Sequence, residues 1–212
     1  MEITKIVITG GPCAGKSKVL KRIHSEFTEK GYTVLTIAET ATELINGGVS
    51  PATCASMAEF QTLLLILQLQ KETAFEKAAK GMGKNNILIV CDRGALDNKA
   101  YLTQKEFQDA LKAADTTEFE LCMRYDGVFH LMTTAKGLES EYSRDSNSAR
   151  TETPMEALLL DDRLLDAWAL HPYRKVISNH PDFNCKANKL IDEIDIFLKN
   201  SCDTTTHKTN KT

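Results

Sequence analysis

Residues 3–17 read ITKIVITGGPCAGKS, and this stretch decides the fold. Ile3 to Thr9 is rich in β-branched residues and reads as a buried strand. Gly10 to Ser17, GGPCAGKS, is a full match to the pattern G-x-x-x-x-G-K-[ST]. The glycines let the backbone wrap closely enough to turn several N–H groups into one concavity. The helix that begins at Lys16 aims its positive end at the same point. Lys16 adds a point charge suited to outer phosphates, and the Ser17 hydroxyl suits Mg²⁺. Gly10, Gly11, Pro12, Cys13, Ala14, Gly15, Lys16 and Ser17 are therefore expected to cradle a nucleotide's phosphates. By composition alone such a string arises in on the order of one chain in a hundred of this size. Its place between a strand and a helix is the context the motif requires.

Outward from this turn, strands and helices alternate. A helix is expected over Lys16–Lys30, with Leu20, Ile23 and Phe27 on one face, then a strand over Tyr32–Ala38. A short helix, Glu39–Asn46, and a long one, Pro51–Lys80, follow. Ile87–Cys91 is short and wholly apolar, as suits a strand covered on both faces, and Asp92–Asp97 leaves it as a loop. Helices over Lys105–Ala114 and Glu118–Arg124 precede a strand at Val128–Met132. Thr133–Thr153 is polar without periodicity. A helix over Pro154–His171, a strand at Val176–Ser178 and a helix over Asn184–Lys199 complete the pattern. The order predicts a single α/β domain over residues 1–200, a parallel sheet with helices on both faces. The polar tail 201–212 is expected to be disordered.

Composition narrows the function classes. The 212 residues carry a formal net charge of −3, with 42% hydrophobic and 26% charged residues, enough apolar matter for a real core. A duplex-DNA binder shows a basic excess that is missing here, so no nucleic-acid partner is expected. The longest apolar run, Leu63–Leu69, is too short to span a bilayer. Six dispersed cysteines, without a CxxC pair or zinc spacing, read as reduced thiols of a cytoplasmic protein. The five histidines show no ligand or triad spacing, and Trp168 reads as core.

Three further groups belong with the phosphate turn. Asp92 and Arg93 stand at the carboxyl end of the third strand, where open α/β sheets bind ligands. Asp92 could hold Mg²⁺ or accept a proton, and Arg93 could clamp an acceptor's phosphate or carboxylate. Glu39, at the end of the second strand, is either the base for an acceptor hydroxyl or an acid complementing a helix start. Arg144 and Arg150 lie in the polar stretch Leu138–Thr153. A lid carrying arginines there would bring charge to a transferring phosphoryl group and keep water out. Of the glutamines on the long helix, Gln61 is the one expected to face a substrate.

The chain resembles the nucleoside- and nucleotide-kinase branch of P-loop proteins. More closely, it is similar to the AAA-type P-loop domain shared by NadR-type nicotinamide riboside kinases and the TRPL-translocation-defect proteins. The matching stretches are GGPCAGKS, ETATELINGG, EFQTLLLILQLQKE, CDRGALDNKAY, YDGVFHLMTTAKG, NSARTETPMEALLLDDRLLDAWALHP and ISNHPDFNCKANK. The resemblance implies a three-layer P-loop NTPase fold with a five-stranded parallel sheet of order 2-3-1-4-5. It implies ATP or GTP with Mg²⁺, an acceptor beside Asp92 and Arg93, and Arg150 in a lid. It also places Asn179–Phe183 near the nucleobase. The activity expected is phosphoryl transfer to a small hydroxyl- or phosphate-bearing metabolite such as a nucleoside or nucleotide. Lys16, Asp92, Glu39 and Arg150 would be its catalytic residues, with Glu39, Gln61, Arg93 and Arg144 contacting substrate and Ser17 and Asp92 the metal. The rival reading is a regulatory ATP- or GTP-binding NTPase that acts through protein or lipid partners.

Overall fold

The computed structural model describes residues 2–137 and 153–206. Strands β1 (Ile3–Thr9), β2 (Thr33–Ile37), β3 (Ile87–Asp92), β4 (Gly127–Leu131) and β5 (Arg174–Ile177) form one sheet. Its order is β2-β3-β1-β4-β5, and every neighbouring pair is parallel. Around it stand helices α1 (Lys16–Glu29), α2 (Thr40–Asn46), α3 (Met57–Gly81), α4 (Gln104–Ala113), α5 (Glu118–Met123), α6 (Pro154–Ala167) and α7 (Phe183–Thr206). This is the P-loop NTPase α/β architecture that the sequence pattern predicts. Among the described residues no helix is long and apolar enough to cross a membrane.

Successive side chains of a strand point to opposite faces, and β1 serves two cores in this way. Ile6 and Ile8 pack with Val19, Ile23 and Phe27 of α1 and with Leu190 and Ile194 of α7. Val7, between them, joins the second core with Leu65, Phe107, Leu121 and Trp168. All three β1 residues are fully buried. A strand covered on both faces favours apolar residues on both, which is why β3 reads as an unbroken apolar run from Ile87 to Cys91.

Several boundaries differ from the sequence reading. The long helix starts at Met57, not at Pro51, because Ser56 caps it by accepting the N–H of Glu59. Residues 51–55 instead form a turn in which the N–H groups of Thr53 and Cys54 donate to the Ser50 carbonyl. The stretch after Asp92 is only briefly a loop, since Ala95–Tyr101 winds into a 3-10 helix. The fifth strand begins earlier, at Arg174, and three of its four residues are exposed. It is an edge strand without an apolar run, so only its pairing with β4 reveals it. Helix α6 stops at Ala167, with Trp168 as its C-cap. Helix α7 continues past Lys199 to Thr206.

Candidate functional site

The turn after β1 has the backbone of an anion cradle. Gly10 has φ +134° and Gly15, the N-cap of α1, has φ +90°. A side chain at Gly10 would collide with the Leu131 carbonyl, and one at Gly15 with the Phe183 ring. Glycine is required at both positions by conformation and by space alike. The first turn of α1 carries no acidic residue, so its positive end is left for an anion. Lys16 is buried, and its Nζ donates to the carbonyls of Gly10 at 2.8 Å and Gly11 at 3.1 Å. Burial, and after it the nearby Arg93 guanidinium, lowers its ammonium to about 8, against partial compensation from Asp92, Glu39 and Asp97.

A cavity of about 880 Å³ opens from this turn and runs between α2 and α3. Strand order decides what faces it. Strand β3 lies between β1 and β2, with Asp92 opposite Ile8 and Cys91 opposite Ile37. Asp92 and Glu39 therefore emerge at neighbouring strand ends, beside the phosphate turn. Lys16, Ser17, Glu39, Gln61, Asp92 and Arg93 all line this one cavity. Its far walls include Phe60, Leu64, Met57 and Ile45. One end is thus densely charged, and the walls from α2 to α3 mix these apolar side chains with Thr42, Asn46, Ser50 and Gln61. Lys71 of α3 fixes α2 against it by donating to the Ala38 carbonyl at 2.9 Å and pairing with Glu43 at 2.7 Å.

The charged end is built around Arg93, a non-glycine residue in the left-handed region at φ +71°. Its Nε donates to Glu39 at 2.6 Å, and its Nη1 to Asp97 and to the Gly10 carbonyl, each at 3.4 Å. Asp97 is 3% exposed. It also accepts from the Thr9 hydroxyl at 2.8 Å and from the Trp168 indole at 2.6 Å. Burial alone would raise the Glu39 carboxyl, but Arg93 and then Lys16 outweigh it and hold the group at about 2. Asp92 goes the other way. Burial raises it to about 6, with Lys16 only partly offsetting, and its Oδ1 is buried without a hydrogen-bond partner. Two carboxylates on adjacent strand ends thus have opposite proton affinities, the usual sign of separate chemical tasks.

Of the other expected site residues, Gln61 is on the cavity wall and Asn179 is not among its lining residues. Gln61 is buried, and its amide approaches the Met57 sulfur at 3.8 Å. Asn179 stands behind the phosphate turn, where its amide donates to the carbonyls of Thr133 at 2.6 Å and Lys136 at 2.8 Å. Arg144 and Arg150 lie outside the described residues. Three residues bearing on the turn escape a reading of motifs: Asp97, Asp161 and Lys186. Asp161 accepts the Gly11 N–H at 2.7 Å and faces His130 Nε2 at 3.0 Å. Asp161 and Lys186 each occupy a buried position on a helical stripe, with Leu160, Leu164 and Ala157 on α6 and with Ala187 and Leu190 on α7. A charged residue inside an apolar stripe is the signal that marks them.

A family model described as an AAA domain matches residues 5–185, which covers the sheet, the phosphate turn and the cavity. No curated protein matches the chain.

Proposed function

The chain belongs to this AAA-domain family of P-loop, nucleotide-binding folds, and from that premise we propose that it is an ATP-dependent kinase of a small hydroxyl-bearing metabolite. The observation that carries the reading is the cavity that continues past Lys16 and Ser17 between α2 and α3, with both apolar and polar side chains on its walls. A nucleotide's phosphates need only the glycine turn, so the remaining space suits a second substrate. Its contents argue for a hydroxyl and against a phosphate as the acceptor group. Arg93 is already engaged by two carboxylates, Glu39 and Asp97, and offers no free positive charge to an acceptor anion.

In this account the triphosphate lies on the turn, with Lys16 and the amino end of α1 stabilising its outer phosphates. Ser17 and Asp92 fit a magnesium ion, since Asp92 Oδ1 is a buried oxygen without a partner. Bound there, the ion would neutralise charge on the phosphates. Glu39, held ionised, accepts a hydrogen bond from the acceptor hydroxyl and aligns it for attack. Phosphoryl transfer through a loose transition state depends mainly on such placement and charge neutralisation. Gln61 reads the acceptor from the α3 wall of the cavity, and Arg144 and Arg150 are the arginines that the reading assigns to substrate and to the transferring group. The reading agrees with the kinase-like branch that the sequence resembles, and the absence of a disulfide among the described cysteines suits a reducing cytoplasm.

The test is incubation with γ-labelled ATP and a fractionated metabolite extract, with Asp92→Asn as the control. A labelled small molecule that is lost with the variant is the expected result. Free labelled phosphate with no labelled metabolite in any fraction would overturn the kinase reading in favour of a regulatory NTPase.

A further inference from the structure

The carbonyls of the phosphate turn are held by donors of the protein itself. Taken in order, each of its carbonyls from Gly10 to Gly15 has a donor. Those of Gly10 and Gly11 accept from Lys16 Nζ. The Pro12 carbonyl accepts from the Thr133 hydroxyl at 2.5 Å, and that of Cys13 from the Thr134 hydroxyl at 3.3 Å. The Ala14 carbonyl accepts from Lys186 Nζ at 2.9 Å. That of Gly15 accepts the Val19 N–H at 3.2 Å in the first turn of α1. A trans peptide is planar, so its N–H points opposite to its C=O. Holding the carbonyls of Pro12, Cys13 and Ala14 outward therefore aims the amides of Cys13, Ala14 and Gly15 to the other side, into the cradle.

Lys186 is the least expected member of this clamp. It is 3% exposed and projects from α7 toward the turn. Besides Ala14 it donates to the Met132 carbonyl at 2.7 Å and to Asn179 Oδ1 at 2.9 Å. An ammonium has three N–H donors, so all of them are engaged by oxygens of the protein. The group is not placed to bond a phosphate directly, as Lys16 is. It ties the turn, the end of β4 and the loop before α7 to one point. On the opposite side, Asp161 fixes the Gly11 N–H.

We propose that Lys186 and Thr133 are positioning residues for nucleotide binding, which hold the glycine turn with its amides inward before any phosphate arrives. This rests on the reading of the turn as the triphosphate site. A site organised in advance avoids the ordering cost at the moment of binding. Without the clamp, the turn must be ordered by the nucleotide itself, and affinity falls by that cost.

The test is calorimetric titration of the full chain with MgATP and with MgADP at pH about 7.5, comparing the parent with Lys186→Met and Thr133→Val. Lys186→Met keeps the aliphatic stem and removes three donors, and Kd for both nucleotides should rise about 10- to 100-fold. Thr133→Val is nearly isosteric, and Kd should rise about 5-fold. A role in stability alone would lower the melting temperature or the binding-competent fraction and leave the Kd of the folded fraction unchanged. The proposal is overturned if either folded variant binds MgATP within about twofold of the parent. Should Lys186→Met fail to fold, Thr133→Val decides the question, because it leaves every charge in place. A parent chain that binds neither nucleotide would refute the phosphate-site reading itself, a result distinct from equal affinities of parent and variant.

Discussion

Replacing Asp92 with Asn should stabilise the nucleotide-free protein while crippling its chemistry. Burial raises the Asp92 carboxyl from 3.8 to about 6. A folded-state value above the unfolded one means that the fold favours the protonated form. The benefit is fully present below pH about 3.8 and is lost as pH rises through about 6. At pH 8 the ionised group is therefore a burden. The shift corresponds to about 3 kcal/mol at about 1.36 kcal/mol per pH unit, and partial exposure of the residue reduces this to about 2–3 kcal/mol. Asparagine keeps the shape and removes the charge. In metal- and nucleotide-free buffer at pH 8, urea denaturation should show the variant more stable by about 2 kcal/mol, a rise in Tm of roughly 4–8 °C for a chain of this size. At pH about 4.5, where the folded parent already carries a protonated Asp92, most of that difference should vanish. On the proposed kinase reading the same variant should also lose phosphoryl transfer, because that reading assigns this carboxylate to the metal. A variant no more stable than the parent at pH 8 would refute the reasoning.

Three other outcomes follow from the same site. Arg93→Met leaves Glu39 and Asp97 facing each other without their shared cation, and should destabilise the fold by about 2–4 kcal/mol in denaturant titrations. Glu39, held at about 2 in the fold against 4.5 ordinarily, contributes stability that is present above pH about 4.5 and lost as pH falls toward 2. The parent should accordingly lose stability in that acid range, and Arg93→Met should show much less of this dependence. Because the Lys16 ammonium titrates at about 8, Kd for MgATP should climb above that pH, approaching tenfold per unit. A flat profile to pH about 9.5 would contradict a buried, lowered lysine. Gly15→Ala forces a side chain into the left-handed region and against the Phe183 ring. It should weaken MgATP binding about 100-fold with a stability loss of about 1–3 kcal/mol, measured by calorimetry and thermal melting.

The readability of the sequence followed the range of the forces involved. The phosphate turn is a local object, set by Gly10, Gly15 and Lys16 within one strand–helix junction, and a string of eight residues suffices to reveal it. The parallel sheet was legible because βαβ order and doubly covered strands leave unbroken apolar runs such as Ile87–Cys91. Strand β5 was displaced because an exposed edge strand has no such run. The convergence of Glu39, Asp92 and Arg93 was foreseeable from their places at strand ends. Their protonation was not, since it arises from burial and from the Arg93 ion pairs. Asp97 was hidden because the 3-10 winding after Gly94 turns it inward, onto Thr9, Trp168 and Arg93. Lys186 and Asp161 act from helices far along the chain, through contacts spanning 172 and 150 residues. Tertiary packing alone produces such pairings.

The central claim is that the glycine turn after β1 holds a nucleoside triphosphate. Titration of the folded chain with MgATP, beside Lys16→Ala, tests it most directly. The account predicts one nucleotide per chain and at least about a 100-fold weaker association for the variant, whose fold survives because it gives up a buried charge. Folded protein that takes up neither ATP nor GTP in the presence of magnesium, or a variant that binds as tightly as the parent, would contradict it.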